Sequence, residues 1–291
     1  MSRLFDLILS AVLLAGLYAT MAYGLGLIYG VLRVVNLAHG GVIMAGAYFG
    51  WWLFESFGLD PYLSIPIVLV ASFLLGVLLY QGLVRRLQKG AAGGPASLLL
   101  LFGASLVLRN IAYLLFTGND RSIRTSYSSQ SVAFLGSHVS VNRLAVLGTA
   151  LVIAVALHLL LRSTQVGRAI RAVAQNADSC TLVGVDVNRI CTLSFGIGSA
   201  LAGVAGVLLA TIFSFNPSTG SSELLKSFVV VVLGGLGSVY GVAVAALIVA
   251  VVEVFAILVL PAYLTTAVGF VLLVLVLVLR PGGLFGQRVL S

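Results

Sequence analysis

Long apolar runs make up most of this chain, and its polar residues gather between them. Apolar segments fall at about residues 4–29, 37–54, 62–84, 97–116, 144–161, 190–213, 224–239, 241–260 and 263–279. Each is near the roughly 20 residues that a helix needs to cross a bilayer. Runs such as Val271 to Leu279 lack the alternation of a barrel strand. Backbone facing lipid must pair its own polar groups, so the runs predict helices or glycine-broken helices. The expectation is an all-α polytopic bundle of about eight to ten spans, folded as a single domain over 1–291.

Composition agrees: 60% of residues are hydrophobic and 8% charged, with a mean hydropathy of +1.17. A soluble domain carries about a quarter charged residues. The net charge of +8 sits mostly at the ends of apolar runs, which reads as topology signal rather than a nucleic-acid surface. Arg85, Arg86 and Lys89 follow the third run; Arg162, Arg168, Arg171 and Arg189 lie in the polar stretch after the fifth; Arg280 and Arg288 follow the last. If all face the cytoplasm, the C-terminus is inside, and Glu55, Asp60 and the Ser/Thr-rich stretch from Thr117 to Arg143 are outside. Arg121, Arg124 and Arg143 in that stretch run against the rule. Nine crossings put the N-terminus outside; a re-entrant segment around Asn36 would put it inside. The run from Leu7 to Ile28 exceeds a signal-peptide core and predicts a retained span. Cys180 and Cys191 form no CxxC pair and read as free thiols. His39, His138 and His158 are scattered, so no metal site is expected.

Two stretches interrupt the apolar pattern alike: Arg33 to Gly41, containing Asn36, His39 and Gly40, and Leu233 to Gly241, containing Gly234, Gly235 and Gly237. Their glycines serve either close helix packing or a broken helix whose freed backbone meets a solute. Arg33, Asn36 and His39 recur every third residue and would share a face if helical. That face is a solvated helix end, a path lining or an internal lock. Glu253, Arg109 and Asn110 sit within apolar runs, where polar groups default to functional or paired roles; a Glu253–Arg109 pair is allowed by charge. Gly220 to Ser227 approaches a phosphate loop, but Leu225 replaces the second glycine and removes the mechanism. No GxSxG elbow or HExxH helix is present, so an enzyme is not expected.

The most informative polar stretch runs from Ser163 to Val185. Val166, Ile170, Val173 and Ala177 fall on one helical face, and Arg168, Arg171, Gln175 and Asp178 on another. Ser163 or Thr164 can cap its start, and Gly184 suits its stop. Such a cytoplasmic helix can lie on the bilayer, pack on its own bundle or dock on a partner; its small Val/Ala face fits a protein groove better than lipid.

These residues carry a resemblance. Asn36-Leu37-Ala38-His39-Gly40 after Tyr29-Gly30 resembles the N-F-A-H-G signature of branched-chain amino-acid ABC transporter permeases, the LivH-type subunits. Gly167 to Asn176 followed by Gly184-Val185 is similar to their cytoplasmic coupling loop, here about 162–189. Phe228 to Ser238 and Arg280 to Gly286 are similar to their C-terminal glycine signature and ending. The resemblance implies an inner-membrane permease for leucine, isoleucine, valine or similar small solutes. It implies a second, related permease as heterodimer partner, two ATPase subunits that bind the ATP, and a solute-binding protein; the chain itself needs no cofactor. Gly167, Arg168, Arg171, Ala174, Gln175, Asn176 and Gly184 would form the ATPase-coupling surface. Path or gate candidates are Asn36, His39, Gly40, Arg109, Asn110, Glu253, Gly234, Gly235 and Gly237. Leu37 replaces the common Phe, and Gln175-Asn176 replaces a frequent acidic residue, a form shared with urea and short-amide permeases. An ion-coupled secondary transporter or channel is the alternative from a different class.

Overall fold

The computed structural model describes residues 2–87, 93–134, 137–235, 237–280 and 282–285; Lys89, Leu236 and Arg288 lie outside them. The helices are α1 (Ser2–Leu32), α2 (His39–Phe57), α3 (Pro61–Leu79), α4 (Gly93–Phe116), α5 (Val141–Ser163), α6 (Gln165–Gln175), α7 (Ala177–Leu182), α8 (Val187–Ile212), α9 (Thr219–Gly234), α10 (Val239–Ala256) and α11 (Ala262–Leu279). A π-turn, Tyr80–Val84, and a short α-turn, Arg85–Leu87, prolong α3. Among the described residues six helices are long and apolar enough to cross a membrane. The nine expected spans correspond to α1–α5 and α8–α11 with shifted ends. The stretch from Thr117 to Arg143 is not all loop: β1 (Ser131–Phe134) and β2 (Ser137–Ser140) pair antiparallel within it.

Helix α8 is the axis of the bundle, with 89% of its most apolar window buried. Its glycines explain how. A Cβ at Gly206 would fall on the Ile43 carbonyl, and one at Gly46 on Gly203. A Cβ at Gly24 or Gly198 would strike the opposite backbone. Bare backbone thus lets α1 and α2 close on α8, which is how helices associate where lipid supplies no hydrophobic drive. The outer helices α3, α4, α5 and α11 turn Leu74, Leu114, Val152 and Val278 outward, as lipid requires.

The two ends of the bundle differ. At one, Asp60 caps α3 and accepts from Tyr127 Oη at 2.6 Å, while Tyr62 donates to Asn142 at 2.7 Å. Burial, then the Asp60 bond, raises the Tyr127 phenol above its ordinary range. Arg121, one of the three arginines that ran against the charge rule, is absorbed here: its guanidinium lies 4.1 Å over the Trp51 ring and donates to the Phe116 carbonyl at 2.7 Å. At the other end Ile28, Val31, Tyr80, Ile170, Val173, Ile190 and Phe195 form a second apolar cluster. Arg85, Arg86, Arg162, Arg168, Arg171 and Arg189 surround that end, which charge identifies as cytoplasmic.

Candidate functional site

The link between α1 and α2 is a break, not a helix. Arg33 closes α1 at φ +53, a left-handed conformation costly for a side chain. Asn36 Oδ1 accepts from Ala38 N at 3.0 Å and its carbonyl from His39 N at 3.1 Å, a tight Asx turn. The His39 Nε2–H donates to the Met21 carbonyl at 2.9 Å. Met21 lies eleven residues before the end of α1, about 16 Å along the helix at 1.5 Å per residue. The chain therefore turns back, and α2 begins deep inside the bundle. The shared helical face of Arg33, Asn36 and His39 does not form: Arg33 is exposed, whereas Asn36 and His39 are fully buried.

The start of α2 holds two other helices by contact with glycine. A Cβ at Gly40 would fall on the Gly220 carbonyl of α9, and one at Gly41 would crowd Leu108 of α4. The helices so placed present polar groups outward at this depth: Ser221 and Ser222 on α9, Asn110 on α4. Arg109 is half-buried, and its Nε has no hydrogen-bond partner among the described residues. Asn110 donates to the Leu106 carbonyl at 2.7 Å.

A charged cluster lies one helical turn along α9 from Ser222. Lys226 Nζ is 3.3 Å from Glu223 Oε1 and 5.4 Å from the centre of the Tyr18 ring. The Tyr18 hydroxyl donates to Glu253 Oε2 at 2.6 Å. Glu253 thus meets Tyr18 and not Arg109. The reason is placement: α10 packs on α1 and α9, whereas α4 packs on α2. Glu223, Lys226 and Tyr18 are members that the sequence reading missed. Opposite charges three apart in an apolar helix were the available signal.

Glycine at 234, 235 and 237 builds a tight reversal. Gly235 and Gly237 stand at φ +95 and +88, and Gly234 lies backbone to backbone against Gly241. Ser238 caps α10 by accepting from Gly241 N at 3.0 Å. The C-terminal segment completes the turn: Leu284 N donates to the Leu233 carbonyl at 2.8 Å and Phe285 N to that of Gly234 at 3.3 Å. Beside it a cavity of about 100 Å³ opens between Gly30, Ile170, Arg171, Ala174, Gly237 and Ser238, joining this turn to α6.

The stretch from Ser163 to Val185, expected as a single helix, holds two helices. Thr164 accepts from Gly167 N at 2.9 Å to start α6, and Asn176 accepts from Ser179 N at 2.9 Å to start α7. Gly184 ends the segment at φ +81. Ile170 and Val173 are buried in the second cluster, so the apolar face packs on its own bundle rather than in a partner's groove. Val166, expected on that face, is exposed; Gly167 takes its place, pressed on the α5 carbonyls of Leu160 and Leu161. Arg168, Arg171, Gln175, Asn176 and Gly184 face outward and Ala174 is half-buried, while Leu182 and Val183 stand 88% and 78% exposed.

Among the described residues no group of His, Cys, Asp or Glu could hold a metal ion. The model of the family "Branched-chain amino acid transport system / permease component" matches residues 7–279. The chain is 31% identical to the high-affinity branched-chain amino acid transport system permease protein BraD of Pseudomonas aeruginosa, over 93% of this chain and 92% of that one. It is 30% identical to LivH of Escherichia coli, over 96% and 94%. A xylose transport system permease protein, XylH of Haemophilus influenzae, is 28% identical over 72% of this chain and 63% of its own length. No solved structure matches. A permease of this kind is a transport subunit, not an enzyme, and works with ATPase and solute-binding partners. The buried helix axis, the broken helices and these similarities converge: the chain belongs to the permease-component family of branched-chain amino acid transport systems and is a multi-pass protein of the bacterial inner membrane.

Proposed function

We propose that this chain forms one half of the path of an ABC importer for leucine, isoleucine and valine. The other half is a second, related permease; two ATPase subunits bind the ATP and drive the cycle, and a solute-binding protein delivers the solute. One observation carries the reading. Ser221, Ser222 and Asn110 point out of the bundle beside the buried start of α2, and polar groups at bilayer depth face a path or another protein rather than lipid. The names of the full-length relatives support the amino-acid cargo.

The exposed side of α6 and α7, with Arg168, Arg171, Gln175, Asn176 and Gly184, is the surface that the ATPase grips. Gly167 and Ala174 seat that handle on the bundle. Asn36, His39 and Gly40 hold the α1–α2 break, and Gly234, Gly235 and Gly237 form the inner turn that moves with the handle. Arg109 and Glu253 flank the path from α4 and α10. The test is uptake of labelled L-leucine into proteoliposomes. Transport requiring the partner permease, the ATPase subunits and ATP is expected. Uptake by this chain alone, driven by an ion gradient, would overturn the reading in favour of a secondary transporter.

A further inference from the structure

The charges inside the bundle bear on which solutes can pass. Glu223 and Lys226 from α9 and Glu253 from α10 converge on Tyr18 of α1, in a chain with only 8% charged residues. Charge placed at bilayer depth is expensive and persists where it has a task. Lys226 pairs with Glu223, and Glu253 meets the Tyr18 hydroxyl beside them, so by formal charge the cluster holds two carboxylates to one ammonium. The Lys226 ammonium can donate three hydrogen bonds and makes one, at 3.3 Å, to Glu223. Lys226 sits one helical turn from Ser222 on the outward face of α9 and is itself partly exposed, whereas Glu223 is buried behind it. Glu253 is also partly exposed, with its carboxylate oriented by the buried Tyr18 hydroxyl.

We infer that Lys226 and Glu253 read the two ends of a zwitterion as it passes, Lys226 taking the solute carboxylate and Glu253, held by Tyr18, its ammonium. Glu223 keeps Lys226 charged and placed between passages. This rests on the proposed amino-acid cargo and narrows it to solutes bearing both charges. A neutral sugar or urea offers neither group an opposite charge, so the arrangement favours neither of them over a zwitterion. The surplus carboxylate also disfavours a solute that is only an anion.

The experiment uses the assembled transporter with its ATPase subunits and L-leucine-loaded binding protein in proteoliposomes. K226M and E253Q are expected to lower the maximal rate of L-leucine uptake about tenfold or more, the scale of one charge-assisted hydrogen bond, and K226R to restore most of it. A second measurement separates reading from a merely structural ion lock: the K226C variant reacts with a water-borne cationic thiol reagent, and the reaction slows during L-leucine transport. Uptake within twofold of wild type in K226M, with wild type moving L-leucine, overturns the inference and leaves the proposed function standing. A K226C thiol that water-borne reagents never reach, or whose reaction L-leucine does not slow, also overturns it. Failure of wild type to move any amino acid overturns both.

Discussion

At the scale of single residues, backbone contact decides this fold. Gly206 and Gly46 allow α2 and α8 to touch without side chains between them. Gly206→Val should cost about 3 kcal/mol through overpacking, read as a lower melting temperature in detergent and loss of the monodisperse peak. Gly103→Ala and Gly148→Ala, where a Cβ meets nothing within 4 Å, should leave melting unchanged or raise it. An equal loss in all three variants would show that these contacts do not govern packing. Sequence marked the glycine clusters but not which glycine faces backbone, because identical letters serve contact at 206 and open space at 103. It marked His39 as polar within oil; the Met21 carbonyl it meets lies 18 residues away, beyond any local pattern.

Elements were legible where a period repeats and illegible where it stops. Apolar runs located α1 to α5 and α8 to α11 because lipid demands about 20 apolar residues. The helix of α6 was visible through Ile170 and Val173, but its split from α7 was not, since Asn176 reads as one more polar residue on an exposed face. Asn176 in fact caps α7, as Thr164 caps α6. Thr164→Ala and Asn176→Ala should each remove about 1 kcal/mol of local helix stability. Hydrogen exchange within 165–182 should quicken while global melting stays put, and uptake per ATP hydrolysed should fall. Unchanged exchange would show that the caps do not hold the handle. The β1–β2 hairpin escaped notice because Ser131 to Ser140 carries no Asn-Gly turn signal and little apolar alternation.

At the scale of the whole molecule, charge and architecture agree on sidedness. Six arginines surround the end formed by α6, α7 and the foot of α8, while the Asp60–Tyr127 contact marks the opposite end. Ser126 and Val183 are both exposed, and the native Cys180 and Cys191 are buried. An impermeant maleimide should therefore label S126C from outside intact cells and V183C only after the inner face is opened. The reverse pattern would invert the molecule and rule out the ATPase-facing role proposed for α6 and α7. The charged cluster was the least legible level, because Lys226, Glu253 and Tyr18 come from three helices, with Tyr18 and Glu253 lying 235 positions apart.

The amides of Leu284 and Phe285 that close the end of α9 have a temporal consequence. They follow α11 along the chain, so the turn between α9 and α10 stays unlatched until α11 has been made. A chain stopped before Leu284 would hold these helices but not the two bonds that tie the turn shut.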